Sequence, residues 1–140
     1  MDNGEWRVES GELIMGKGEN RVKELSFAFA LRIIKLAQFL EQEKKAYVLS
    51  KQLLRSGTSI GALVREAEHA ESRSDFIHKM AIALKEANET DYWIELLYQS
   101  KILDREGFDS IKSDVVELLK LLTAIIKSSK RNGQLKMDNG

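Results

Sequence analysis

The residues most suggestive of chemistry are two histidines, each placed three positions after a carboxylate. Glu66 precedes His69, and Asp75 precedes His78. This spacing puts both side chains on one side of a helix, as in the di-iron bundle proteins. A di-metal centre also needs further inward-facing carboxylates at mid-bundle, whereas these pairs flank a predicted turn and His69 lies opposite its helix's apolar stripe. We therefore predict no metal and no other cofactor, and interpret the four side chains as exposed or capping groups.

Nucleophilic catalysis has less support still. A catalytic triad needs a base held beside the nucleophile and a third group that orients the base. The chain offers only 2 histidines and no cysteine, no Gly-rich elbow precedes a serine, and no Walker or dinucleotide motif is present. We predict no catalytic residue, no small-molecule substrate and a non-enzymatic role.

A line of basic residues runs along the second predicted helix, opposite its apolar stripe. Phosphate binding needs such clustered cations, because released counterions supply most of the affinity. The line steps by four and three through Lys51, Arg55, Thr58, Ala62, Arg65 and His69. The candidate nucleic-acid contacts are Lys51, Arg55, Arg65 and His69, with Arg32 and Lys35 on the first helix. The alternative is an ordinary solvent-exposed face. Glu66, Glu68 and Glu71 lie nearby and weaken its positive electrostatic field.

Overall charge and composition favour no particular partner. The 140 residues hold 22 Lys and Arg against 22 Asp and Glu, so the whole chain is drawn neither to nucleic acid nor to a membrane. The absence of cysteine excludes disulfides. No signal peptide is visible, and the apolar stretch 25–40 is interrupted by polar residues and too short to span a bilayer. We expect a cytoplasmic protein with no membrane partner.

The spacing of apolar residues predicts helices along most of the chain. The sequence has no proline, which suits long helices. Apolar spacing predicts helices at about 22–43, 51–71, 75–101 and 105–129, with Ser50, Ser74 and Asp104 as N-caps. The prediction is an all-α, up-down-up-down four-helix bundle over residues 21–130. Residues 1–20 and 131–140 are predicted as flexible tails, of native or tag origin.

Two glycines interrupt the second predicted helix at positions 57 and 61. Each costs about 1 kcal/mol relative to alanine in a helix interior. Close approach of another helix would offset that cost, and a kink is the alternative.

The first and third predicted helices carry apolar residues on two sides. On the first, a stripe of Phe27, Leu31 and Ile34 lies nearly opposite the core stripe that contains Phe29 and Ile33. On the third, an apolar group lies across from the core stripe; its members are Ile82, Trp93, Leu96 and Leu97. The candidate oligomer interface is therefore Phe27, Leu31, Ile34, Ile82, Trp93 and Leu96. The alternative is a wide core partly covered by the N-terminal segment.

Three runs together resemble one known family. They are SFAFALRI (26–33), LSKQLLRSGTSIGALVREAE (49–68) and DFIHKMAIALKEANETDYWIELL (75–97). The chain resembles the ribosomal intervening-sequence proteins, small bacterial four-helix bundle proteins, over about residues 22–129. Matching positions include Gln52, Arg55, Ser56, Ser59, Ile60, Glu66, Glu86, Glu89 and Trp93. Two positions depart from the family pattern: Leu63 replaces a frequent asparagine, and Lys101 replaces a glycine that often ends the third helix.

The resemblance implies a ring-shaped homopentamer, an association with RNA and no known enzymatic activity. A related branch, the accessory proteins of diversity-generating retroelements, acts with a reverse transcriptase and is strongly basic, unlike this chain. We therefore predict an oligomeric scaffold that engages RNA or a ribonucleoprotein. The alternatives are a protein-interaction module that uses no nucleic acid, a retroelement accessory protein and, as a minority interpretation, an enzyme or metalloprotein.

Overall fold

The structure is a computed structural model that describes residues 7–9, 12–14 and 17–139, with side chains described for residues 18–134. Four long helices account for most of the described chain: α1 (Lys17–Gln42), α2 (Tyr47–Glu68), α3 (Arg73–Gln99) and α4 (Arg105–Asn139). Two short strands precede them, β1 (Arg7–Glu9) and β2 (Glu12–Ile14). They pair antiparallel, with Arg7 opposite Ile14.

The helices form the predicted four-helix bundle. Consecutive helices pack against each other, and α4 also packs against α1, which closes the bundle. The connections between helices are short, so neighbouring helices run antiparallel. The all-α fold class is thereby confirmed. Within the described residues, no helix is long and apolar enough to cross a bilayer.

The helix ends differ from the predicted ones. Helix α1 begins at Lys17 rather than at position 22, and α4 continues to Asn139 rather than ending at position 129. Helical residues therefore reach into both segments predicted as tails; the tail prediction for residues 1–6, 10, 11, 15, 16 and 140 falls outside the described residues.

Of the three predicted N-caps, one is confirmed. Asp104 Oδ1 accepts a hydrogen bond from the Gly107 amide at 2.7 Å. Ser74 is wrong by two positions, because Ser72 Oγ accepts from the Asp75 amide at 3.0 Å. Ser50 is not a cap: it is buried inside α2 and donates to the Ala37 carbonyl oxygen at 2.8 Å.

The core is built from the apolar stripes that the sequence predicts for α1, α2 and α4. On α3 the buried side is rotated relative to the prediction: Leu97 is fully buried, whereas it was assigned to the far side. Asp91 is not in the core, and its carboxylate pairs with Lys112 of α4. Fully buried side chains from all four helices meet at the centre, among them Phe29, Ile33, Leu53, Ile60, Ile94, Leu118 and Leu122.

The two α2 glycines mark where α1 and α2 lie closest. A Cβ atom on Gly57 would stand 2.8 Å from Ile33 Cγ2, and one on Gly61 would stand 3.3 Å from the Ser26 carbonyl oxygen. Of the two explanations for these glycines, the structure supports close helix approach.

Candidate interaction surfaces

Arg55, the centre of the predicted basic line, is held by two acidic residues of α3. Its Nη1 lies 3.3 Å from Glu86 Oε2, and its Nη2 pairs with Glu89. The hydrogen bond to Glu89 is the largest cause that raises the pKa of Arg55 above its ordinary value. Two carboxylates face one guanidinium, so the positive charge of Arg55 is balanced by its immediate neighbours. Arg55 therefore joins α2 to α3, and its charge is compensated within the chain.

Glu89 also connects Arg55 to the aromatic residue Trp93. The Trp93 indole N–H donates to Glu89 Oε2 at 3.1 Å. This hydrogen bond, followed by the contribution of Arg55, lowers the pKa of Glu89 although burial opposes the shift. Trp93 is partly buried and packs on the core, and its ring lies edge-on to Tyr92 with the centroids 5.2 Å apart.

Arg32, a candidate contact on α1, is also engaged within the chain. It pairs with Asp114 of α4 and donates to Ser110 on the same helix. Because Arg32 and Arg55 both pair with carboxylates on other helices, each contributes to the bundle before it can contribute to a ligand.

The remaining candidate cations are exposed. Lys35, Lys51 and Arg65 have no ion pair among the residues whose side chains are described. The Arg65 guanidinium lies over the ring of Phe27, 5.9 Å from its centroid. His69 is exposed at the C-terminal end of α2. Within the predicted basic line, Arg55 is therefore ion-paired, whereas Lys51 and Arg65 form no ion pair with a described side chain.

The second apolar stripe of α1 is uncovered in the protomer. Phe27, Leu31 and Ile34 are 55%, 50% and 39% exposed. Together with small residues of α2 they line a groove of about 780 Å³ between the two helices. Arg65 and His69 stand at the rim of that groove. We call Phe27, Leu31 and Ile34 the α1 apolar face.

The three α3 candidates are more enclosed. Leu96 is 37% exposed, whereas Ile82 and Trp93 are partly buried. The most exposed apolar side chain near them is Tyr92, at 57%. The structure thus places Leu96 and Tyr92 at the α3 surface and gives Trp93 partners within the protomer.

The carboxylate–histidine pairs lie where the sequence places them, around the connection of α2 and α3. Asp75 Oδ2 accepts from the Glu71 amide at 3.2 Å, which makes it a capping group. His78 is exposed. Among the described residues no group of three or more His, Asp and Glu side chains could hold a metal ion.

One charged region was not singled out from the sequence. Residues 118–137 contain five cations and no Asp or Glu: Lys120, Lys127, Lys130, Arg131 and Lys136. The signal is present in the sequence as an acid-free stretch, but it begins inside the predicted fourth helix and ends in the predicted tail. In the structure α4 extends to Asn139, so a single helix carries all five cations.

Comparison with known proteins assigns the family. The model of the 23S rRNA-intervening sequence proteins matches residues 18–124, and the chain belongs to that family. It is also similar to a crystal structure of a protein of unknown function from the S23 ribosomal protein family of Bacteroides thetaiotaomicron VPI-5482. The two chains are 57% identical, with a TM-score of 0.77, over 79% of this chain and 98% of the other. No curated protein matches the chain.

Proposed function

We propose that the protein is a non-enzymatic, homo-oligomeric helical scaffold that associates with RNA or a ribonucleoprotein. The observation that carries the proposal is the α1 apolar face: Phe27, Leu31 and Ile34 remain about half exposed after the bundle has closed. Removal of apolar surface from water contributes about 25 cal/mol per Å². A second subunit would supply that burial, since no other described element of the protomer covers this face.

A ring-shaped assembly, such as a homopentamer, is the form we favour. A closed ring is built by head-to-tail contacts, in which two different patches of the protomer meet. The protomer carries the α1 apolar face and, on a different helix, the exposed side chains of Tyr92 and Leu96. Two distinct apolar patches suit a ring better than a symmetric dimer, which needs one patch that pairs with itself.

RNA is proposed as the partner because of the family's own description, which refers to an intervening sequence of 23S rRNA. The exposed cations Lys35, Lys51 and Arg65 support an anionic partner. Co-purification of a protein without nucleic acid would instead favour the protein-interaction alternative, and capture of a reverse transcriptase would favour a retroelement role.

Light scattering on the purified full chain tests self-association. The wild type should have a mass several times that of the 15.9 kDa chain, and Leu31→Glu should lower that mass because it places a charge in the α1 apolar face. The matched control is Val48→Glu, which makes the same change at a residue that is 72% exposed on α2. Helical content measured by circular dichroism should remain unchanged in both variants.

A monomeric wild type in dilute solution would overturn the scaffold proposal. Equal masses for the wild type and Leu31→Glu would show that the assembly uses another surface. Absorbance at 260 nm, recorded on the same peak, reports any nucleic acid that remains bound.

A further inference from the structure

The C-terminal half of α4 is rich in cations and poor in acidic residues. Between Glu117 and Asp138 the sequence contains no acidic residue. Lys120, Lys127 and Arg131 step by seven and four positions, so they line up along one side of the helix, spanning about 16 Å at 1.5 Å per residue. Lys130 is adjacent to this line. We call Lys120, Lys127, Lys130 and Arg131 the α4 basic face.

The α4 basic face is like Lys35, Lys51 and Arg65, and unlike the ion-paired arginines of the bundle, in having no counterion among the described side chains. Its four side chains are exposed, and none forms an ion pair with another described side chain. In contrast, Arg21, Arg32 and Arg55 each pair with a carboxylate on another helix. An uncompensated cation has its full charge available for an external phosphate, whereas a paired one must first lose its partner.

A shallow hollow lies within the same face. It measures about 400 Å³ and is lined by Gly18 at the start of α1 and by six residues of α4: Leu121, Ala124, Ile125, Lys127, Ser128 and Arg131. Ser128 is 3% exposed, and its hydroxyl has no hydrogen-bond partner in the described part of the structure. A phosphate oxygen accepts hydrogen bonds from hydroxyl, ammonium and guanidinium groups. Lys127 and Arg131 are therefore the donors that the hollow offers to a phosphate, because the Ser128 hydroxyl is buried beneath its surface.

We propose that the α4 basic face is the main phosphate-contacting surface of the protein, with the backbone of single-stranded RNA as its ligand. The inference rests on the proposed association with RNA and names the surface that performs it. It also moves the site away from the α2 line, where Arg55 is compensated. Three of the four cations lie beyond residue 124, where the match to the family model ends, so the site would be a property of this chain's long α4.

Four simultaneous substitutions to glutamine test the α4 basic face: Lys120→Gln, Lys127→Gln, Lys130→Gln and Arg131→Gln. Glutamine keeps helix propensity close to that of lysine and arginine. The matched control also removes four exposed cations, but away from every candidate contact surface, two between α1 and α2 and two on or just after α3: Lys44→Gln, Lys45→Gln, Lys85→Gln and Lys101→Gln. Both variants have the same net charge, so a difference between them reports position rather than total charge.

The probe is a fluorescein-labelled, mixed-sequence single-stranded RNA, titrated by anisotropy at several salt concentrations. Each neutralised phosphate contributes about −0.7 to the slope of log K against log salt for a single strand. The α4 variant should therefore bind about tenfold or more weakly, and its slope should be smaller in magnitude by about 3 if all four cations are in contact. The control should stay within about twofold of the wild type.

The possible failures are distinguishable. If the control variant loses affinity and the α4 variant binds like the wild type, the α4 inference is wrong while the RNA association stands. If the wild type itself shows no salt-dependent RNA binding, the RNA part of the proposed function is wrong as well. Inorganic phosphate at millimolar concentration serves as a competitor: full displacement of the RNA would show that the hollow is a free-phosphate site and would overturn the assignment to RNA.

Discussion

Thr90 of α3 and Ser56 of α2 hydrogen-bond to each other in the bundle interior, with their hydroxyl oxygens 2.9 Å apart. Both residues have no solvent exposure. Thr90 Oγ1 also lies 2.8 Å from the Glu86 carbonyl oxygen, which accepts from it. Directly outside this buried contact, Arg55 pairs with Glu86 and Glu89. One buried hydrogen bond and one surface group of ion pairs thus hold α2 against α3 at the same height along the bundle.

The two hydroxyls of the buried pair should contribute to stability non-additively. Thr90→Val leaves the Ser56 hydroxyl buried without its partner, which costs about 1–3 kcal/mol. The double variant Ser56→Ala, Thr90→Val removes both polar groups and should cost less than the sum of the single variants. Urea unfolding of the two single variants and the double variant measures the coupling. Strict additivity would contradict the proposed pairing.

Gly57→Ala should destabilise the bundle because α1 leaves no room for a methyl group. The new Cβ would lie 2.8 Å from Ile33 Cγ2 and 2.9 Å from Ile33 Cγ1, and Ile33 is fully buried. Overpacking costs about 1–3 kcal/mol, against a gain of about 1 kcal/mol in helix propensity. The control is Gly133→Ala, whose Cβ would meet the flexible Arg73 side chain at 3.0 Å; there the propensity gain should dominate. Thermal unfolding measures this difference. The midpoint temperature should fall for Gly57→Ala and should not fall for Gly133→Ala.

The environment of Glu89 should make stability depend on acid. The Trp93 hydrogen bond and the Arg55 ion pair lower the pKa of Glu89 in the folded state. A carboxylate with a lowered folded pKa contributes stability above the unfolded pKa of about 4.3, and that contribution is lost as the pH falls through the folded pKa. Glu89→Gln should therefore be less stable than the wild type at pH 7 and should lose less stability between pH 5 and pH 3.

Denaturant unfolding followed by circular dichroism at pH 7, 5, 4 and 3 measures this dependence. Trp93→Phe is the companion variant, because it removes the indole donor and keeps an aromatic ring. Its acid dependence should lie between those of the wild type and Glu89→Gln. Parallel curves for the wild type and Glu89→Gln would show that other carboxylates dominate the acid response.

The fold class could be predicted from the sequence, because an apolar stripe with helical spacing can be recognised without knowing which helix packs against it. The buried side chains of α2 and α4, among them Leu53, Ile60, Leu118 and Leu122, recur at a helical spacing that is visible in the sequence. Helix ends were predicted less well, since they depend on tertiary contacts. Ser50 has the residue type of a cap but donates to the Ala37 carbonyl oxygen of α1 instead.

The candidate surfaces were predicted only in part for a similar physical reason. The exposure of Phe27, Leu31 and Ile34 follows from their angular position on one helix, which the sequence gives directly. The neutralisation of Arg55 does not, because Glu86 and Glu89 lie 31 and 34 positions away in the sequence. The α4 basic face was missed because the predicted helix ended at position 129, which separated Lys127 from Lys130 and Arg131.

The residue that ends α3 offers a stabilising prediction. Lys101 follows this helix with a φ of 66°, in the left-handed region, and Lys45 follows α1 with a φ of 57°. A residue with a Cβ atom loses roughly 1–2 kcal/mol in that conformation, whereas glycine adopts it freely. Lys101 is exposed, so its replacement by glycine removes no buried contact. Lys101→Gly should therefore raise the free energy of unfolding by about 0.5–1 kcal/mol, the usual gain at a helix C′ position less the added flexibility of the unfolded chain.

Lys85→Gly is the control: it makes the same change at an exposed lysine in the interior of α3, where glycine should destabilise by up to about 1 kcal/mol. Chemical denaturation of both variants should give shifts of opposite sign. A loss of stability in both would mean that Lys101 contributes through its side chain more than its backbone conformation costs.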